Sequence, residues 1–295
     1  MKIGFSTLTC PNWDLRRVIS EAAAMGFDGV EIRGLQGQLD LAVAPELARD
    51  PEGVQALFRE HKVELACIAT SAVLSSRSTR ARSEAKATIA SHFELARRLG
   101  CPAVRIMAGE TESGESRQAA LARVAEGLAS LVPAAVRNDV SLLVENGGDF
   151  PSSADMWRLI DAVNHPAVRC CWNQCHGLTL GERPTVSIPR LGLKLGMVRV
   201  CDATFDSSGA LLDYRPLGAG QAEIGRAVEL LRGVLYRRYL MVEWPKLWVP
   251  SLPAPEQWLP AAAQFLKLRL AEKQPILSAY KGDKNAPKLA ALPTE

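Results

Sequence analysis

The chain has 295 residues, 47% of them hydrophobic, and a net charge of only +3. That is enough apolar material for one large core, and it leaves no charge footprint for non-specific nucleic-acid binding. The opening Met1-Lys2-Ile3-Gly4-Phe5 lacks the apolar run of a signal peptide, and no run approaches the roughly 18 apolar residues of a membrane span, so a soluble, cytoplasmic protein without membrane partners is expected.

In chain order, short apolar runs alternate with longer amphipathic stretches. Strands are predicted at Lys2–Ser6, Gly29–Ile32, Val63–Ala69, Ala103–Met107, Val140–Glu145, Val168–Trp172, Met197–Cys201 and Tyr239–Glu243. The first helix shows Leu15, Val18, Ile19 and Ala22 at i, i+3, i+4, i+7 and ends at Gly26. A later one carries Leu121, Val124, Leu128 and Leu131 on one face, and another spans about Ser153 to Val163. The stretch Arg183–Gly196 holds two prolines and two glycines and predicts a weak or irregular helix. Eight strand–helix units of this length predict an α/β fold, a single-domain (β/α)8 TIM barrel over 1–273 with a C-terminal tail over 274–295. A doubly wound open sheet is the runner-up. It would carry a glycine-rich phosphate loop after its first strand, and Ser6-Thr7-Leu8-Thr9-Cys10-Pro11 stands there instead. The tail reads as solvated, with packing on a partner subunit, and hence a homo-oligomer, as its alternative.

Polar residues where buried strands surface are costly unless they have a role. Glu145 in Val144-Glu145-Asn146-Gly147-Gly148 is one. Asn173, Arg199 and Glu243 follow at later strand ends, and Glu31, Arg33 and Arg105 are further site-wall candidates. Bland readings stand beside these: a helix-dipole role for Glu145, pairing of Glu243 with Lys246, a backbone-satisfied loop His176 and a structural salt bridge at Arg199. Ser75–Arg82 packs three arginines among hydroxyls and reads either as a solvated first helical turn or as a phosphate or carboxylate cradle. Trp13, Trp244 and Trp248 lie near strand ends as candidates for a wall against a sugar ring or for core packing. Seven cysteines, most of them in apolar runs, read as small buried hydrophobes in a reducing compartment. The alternative, a metal held by Cys171, Cys175, His176 and Cys201, fits no zinc ribbon or finger spacing.

Four segments resemble the xylose isomerase-like barrel superfamily of sugar isomerases and epimerases. They are Lys2–Ser6 with Ala24-Met25-Gly26-Phe27-Asp28-Gly29-Val30-Glu31; Val144–Gly148 with Asn164-His165-Pro166; Trp172-Asn173-Gln174-Cys175-His176; and Pro216-Leu217-Gly218-Ala219-Gly220 with Val242-Glu243-Trp244. The resemblance implies a divalent ion (Mn, Mg or Zn) held by Glu, Asp, His and Glu, with the glutamates moving a proton next to a carbonyl that the cation polarises. Glu145 and Glu243 match the glutamates, and His176 matches a substrate-contacting His. Asn173 stands for the Asp and Arg199 for the ligating His. An arginine stays protonated and offers only donors, so no metal is expected here; were one bound, Glu145, Asn173 and Glu243 would be its ligands.

The resulting expectation is an isomerase or epimerase of a sugar, keto-polyol or small hydroxy-acid that works through an enediolate. Glu145, Glu243 and Arg199 are its catalytic residues, and Arg199 takes the metal's electrostatic role. His176, Asn173, Asn146, Glu31 and Arg105 contact substrate. The alternatives are a lyase or dehydratase of the same superfamily and a non-catalytic sugar-binding or accessory barrel. Four histidines do not build the multi-zinc site of the DNA-repair endonucleases that share this barrel, so no nucleic-acid partner is expected.

Overall fold

The structure, a computed structural model, describes residues 1–272; the tail expected over 274–295 lies outside the described residues. Eight parallel strands close into a barrel: β1 (Lys2–Ser6), β2 (Gly29–Ile32), β3 (Glu64–Ala69), β4 (Ala103–Met107), β5 (Ser141–Glu145), β6 (Val168–Asn173), β7 (Leu195–Val200) and, after an excursion, β10 (Tyr239–Val242). Each predicted strand is present, within two residues at either end. Their near-continuous burial is what a parallel sheet covered by helices requires.

Local chemistry repeats around the barrel. Helix Leu15–Met25 starts where Asp14 accepts from the Arg17 N–H and stops at Gly26 with φ 72°. Helix Thr79–Leu99 is capped by Ser78 and stops at Gly100 with φ 67°. Helix Ser153–Val163 is capped by Ser152 and stops at Asn164 with φ 44°. Short polar caps satisfy the first free N–H groups, and left-handed residues end the helix. Helix Arg117–Arg137 is by length and composition apolar enough to cross a membrane, a feature the run-length reading passed over. In the barrel it lays Ala120, Val124, Leu128 and Leu131 against the core.

The weak or irregular helix expected from Arg183 is a short one, Pro184–Leu191, with Pro189 inside it, followed by a 3-10 turn, Gly192–Lys194. Pro184 occupies the first helical position, where its missing N–H costs nothing. Between β7 and the next helix (Ile224–Gly233) lies an unpredicted antiparallel hairpin of β8 (Asp202–Phe205) and β9 (Leu211–Arg215). Its turn signal was in the chain: the Asp206 carboxylate accepts from the Ser208 N–H at 2.8 Å and the Ala210 N–H at 3.0 Å, and Gly209 adopts φ 85°.

The barrel interior is layered. Cys67, Ala103, Leu143, Cys171, Met197 and Met241 form an apolar plug separate from the main core. Two residues further along their strands, on the same face, come Arg105, Glu145, Asn173, Arg199 and Glu243. A polar layer therefore sits on the plug at the end of the barrel where such folds build their sites.

Candidate functional site

Register brings this layer together. Asn173 lies beside Arg199 on the neighbouring strand, Arg199 beside Met241, and Ser6 beside Glu31. Arg199, with no exposed surface, points its guanidinium into the middle. Its Nε donates to Glu145 Oε2 at 2.9 Å, and its Nη2 donates to both oxygens of Glu31 at 2.6 and 2.8 Å. Nη1 lies 2.5 Å from Glu243 Oε2, an ion pair without hydrogen-bond alignment. Arg105 Nε is 3.2 Å from Glu145 Oε2, and Arg105 Nη2 is 3.8 Å from Glu31 Oε1. Asn173 donates to Glu145 Oε1 at 3.0 Å, and Ser6 donates to Glu31 at 2.9 Å.

The two glutamates expected to work as a pair are electrostatically unlike. Burial pushes the Glu145 carboxyl up, but Arg199 and Arg105 outweigh it and hold the group down at about 2. Burial likewise raises Glu243; the opposing pull of Arg199 does not cancel it, and the Glu145 charge adds to the rise. Glu31 is held below the usual carboxylate range because Arg199 and Arg105 overcome its burial. Arg199 stays charged: burial disfavours the cation, and Glu145, Glu243 and Glu31 more than restore it.

Above this layer lies a cavity of about 410 Å³. Its walls include Arg33, Arg105, Glu145, His176, Tyr214, Glu243 and Trp248. Glu243 keeps 13% of its side chain exposed, against 2% for Glu145. His176 sits on a five-residue helix, Gln174–Leu178, with its Nδ1 2.6 Å from the Asn146 carbonyl. A carbonyl only accepts, so Nδ1 carries a proton and donates it to Asn146. Gly147 makes room for the ring, since a Cβ there would stand 2.9 Å from His176 Nδ1.

The structure thus sorts the predicted residues. Glu145, Glu243, Arg105 and His176 line the cavity. Arg199, expected among the catalytic residues in the metal's electrostatic role, pairs with Glu145 and Glu243 but lies wholly buried beneath them, off the cavity wall. Glu31 is equally buried as its bidentate partner. Asn146 and Asn173 are buried too. The Asn146 side chain donates to the Pro151 and Asn173 carbonyls and accepts from the Asn173 N–H, so it fixes the β5–β6 strand ends rather than facing the cavity. Glu243 does not pair with Lys246, whose ammonium donates to the Pro250 and Leu252 carbonyls. Of the three tryptophans, only Trp248 lines the cavity. Trp244 is buried against Trp258 at 4.5 Å, and Trp13 lies under Arg17 at 4.6 Å.

In the arginine-rich segment, Arg82 donates to the Ser76 and Arg77 carbonyls, and Arg80 pairs with Glu84. All seven cysteines are buried and free. Tyr214 was missed because it arrives on the unpredicted hairpin. Asp202 anchors the return from that hairpin, accepting from the N–H groups of Gly218, Gly220 and Ala222 at 2.7, 3.1 and 3.0 Å.

A divalent ion does not fit this donor set. The point where Glu31, Glu145 and Glu243 converge is filled by the Arg199 guanidinium, which repels a cation and cannot ligate one. Among the described residues no cluster of His, Cys, Asp and Glu has metal-binding geometry.

A comparison with curated protein sequences finds no match. Solved structures do match in fold. The IOLI protein, solved with a bound zinc atom, superposes with a TM-score of 0.78 at 19% identity, covering 91% of this chain and 98% of that one. The 3-keto-D-glucoside 4-epimerase YcjR from E. coli gives 0.72 at 19% identity, over 92% and 99%. The probable 3-DHS dehydratase AsbF from Bacillus anthracis gives 0.74 at 15% identity, over 90% and 99%. The sequence model of one family matches residues 19–269. With a closed eight-stranded barrel and this match over most of its length, the chain belongs to the family of xylose isomerase-like TIM barrels.

Proposed function

We propose that the protein is an isomerase or epimerase acting on a small polyhydroxylated carbonyl compound, with arginine in place of a divalent metal. The observation that carries this reading is Glu243: a partly exposed carboxylate, raised above its ordinary value by burial, on the wall of a ligand-sized cavity. A carboxyl tuned upward is a better general base than one held at about 2, as Glu145 is. Glu243 takes the proton from a carbon next to the substrate carbonyl. The electron pair moves onto the carbonyl oxygen, and the Arg105 guanidinium on the cavity wall stabilises the resulting enediolate. Protonation of the former carbonyl carbon, with the adjacent hydroxyl giving up its proton to become the new carbonyl, gives isomerisation; protonation of the original carbon on its opposite face gives epimerisation. Loss of a β-hydroxyl from the same enediolate, leaving as water with the proton that Glu243 took, gives dehydration. Arg199 acts as a positioning residue that holds three carboxylates in place. The half-exposed Trp248 ring offers an apolar face to a sugar. The structural relatives, which include a keto-glucoside epimerase and a probable dehydratase, agree with this class of chemistry.

The test is carbon-bound hydrogen exchange in D2O, followed by NMR over a panel of ketoses, keto-glycosides and hydroxy-acids, with and without chelator. Chelator-insensitive exchange that falls at least ~100-fold in Glu243→Gln supports the proposal. Exchange that needs added manganese, or that survives Glu243→Gln, overturns it. The fully committed Arg199 cluster favours a second reading, a barrel that binds sugar without turning it over; saturable binding with no exchange would establish that reading instead.

A further inference from the structure

Arg33, just past β2, is the charged group of the cavity that the proton-transfer chemistry does not use. It is 5% exposed and lines the cavity wall. Arg199 and Arg105 take Glu31, Glu145 and Glu243 as partners. Arg33 makes no ion pair among the described residues. Its Nη2 donates to the Ser71 hydroxyl, and its Nη1 is buried without a hydrogen-bond partner. The guanidinium lies 5.8 Å from the centre of the Trp248 ring. Ser71, also on the wall, accepts from Arg33 and keeps its own proton to donate. Burial pulls the Arg33 guanidinium down to about 10, and Arg105 adds to the drop. Glu31 and Glu145 oppose the drop without pairing with Arg33; a buried donor left without a hydrogen-bond partner is costly in the free protein, and an anion brought into the cavity offsets that cost.

We infer that Arg33 and Ser71 form a carboxylate-binding subsite, so that the substrate of the cavity is a sugar acid or polyhydroxy keto-acid rather than a neutral sugar. One planar fork with an adjacent hydroxyl matches a planar carboxylate. A cavity of about 410 Å³ accepts a chain of about six carbons whose carboxylate lies at Arg33 and whose reacting carbons lie near Glu243. This deepens the proposed function and rests on it only for the direction of the rest of the substrate.

The experiment is calorimetric binding of D-gluconate and of its neutral counterpart D-glucitol to the full chain. The wild type is expected to prefer gluconate by at least about tenfold, as a charge-assisted pair allows. Arg33→Gln is expected to erase the preference while leaving glucitol binding in place, and Arg33→Lys is expected to keep part of it. The preference is read by binding alone and the proton transfer by hydrogen exchange, which separates failure of the proton-transfer reading from failure of this one. Equal affinity of the wild type for the two compounds, or no saturable gluconate binding, overturns the inference, and so does an unchanged preference in Arg33→Gln. Should Arg33→Gln fail to fold, Arg33→Lys decides, and an undiminished preference in it overturns the inference. Inorganic phosphate, tested as a competitor, is expected to displace gluconate only weakly; strong displacement would reassign the subsite to phosphorylated substrates and overturn the carboxylate assignment.

Discussion

At the scale of single residues, the site is decided by how one guanidinium is shared. Arg199 meets three carboxylates, and the exchange is unequal: Glu145 is also held by Arg105 and Asn173, whereas Glu243 touches only the arginine Nη1 at the cavity edge. The difference predicts pH behaviour. Glu145 titrates at about 2 in the folded chain against an ordinary 4.5. Its contribution to stability is therefore complete above about 4.5 and is lost as pH falls toward 2. Chemical denaturation at a series of pH values should show the wild type losing stability through that window, with the loss attenuated in Glu145→Gln. Glu243 is shifted the other way, so activity that needs its ionised form should rise with pH through a pKa above 4.5. A kcat/KM profile with no such ascending limb would argue against Glu243 as the base. Removing the cation is a harsher change. Arg199→Met strands buried carboxylates and should cost about 3–5 kcal/mol, which for a domain this large is a Tm lower by roughly 6–20 °C in calorimetry.

At the scale of elements, alternation along parallel strands does the positioning. Cys171 and Asn173, Met197 and Arg199, and Met241 and Glu243 each stand two apart on one face, so an apolar plug and a charged layer arise from the same strands. The β8–β9 hairpin (Asp202–Phe205 and Leu211–Arg215) adds what the barrel lacks, a wall carrying Tyr214. Its base depends on Asp202, and Gly220 must be glycine because a Cβ there would lie 2.2 Å from the Asp202 carboxylate. Asp202→Ala should leave the N–H groups of Gly218, Gly220 and Ala222 without their acceptor. The expected cost is about 1–3 kcal/mol in a denaturant titration, with weaker substrate binding because Tyr214 loses its support.

At the scale of the whole molecule, barrel closure makes the arginine substitution possible. Glu31 from β2 (Gly29–Ile32) and Arg199 from β7 (Leu195–Val200) are 168 residues apart in the chain, yet they meet at 2.6 Å. A cation surrounded by carboxylates from three different strands supplies the charge that a divalent ion would otherwise bring. The exchange should be reversible. Asn173→Asp combined with Arg199→His removes the guanidinium and leaves carboxylates converging with an imidazole, the donor set that suits manganese or zinc. Calorimetry should show the double variant gaining affinity for these ions and the wild type showing none at this site. Stoichiometric metal in the purified wild type, lost on Glu243→Gln, would contradict the arrangement described.

Much of this was legible in the chain because it depends on local order. Short apolar runs ending in Glu145, Asn173, Arg199 and Glu243 revealed the strands and the polar residues at their ends, and the altered identities at 173 and 199 already disfavoured a metal, since guanidinium chemistry does not depend on context. The polar caps and left-handed helix ends were likewise encoded within a few residues. The hairpin was passed over although Asp206-Ser207-Ser208-Gly209 marks its turn, because its two strands are short and half-exposed. What only the tertiary structure decided is the division of labour: that Arg199 is sealed under its carboxylates while Arg105 faces the cavity, that Glu31 is a partner rather than a wall, that Glu145 and Glu243 are shifted in opposite directions, and that Arg33 is left unpaired. Burial and charge sharing depend on every strand at once, and they exist only after the barrel has closed.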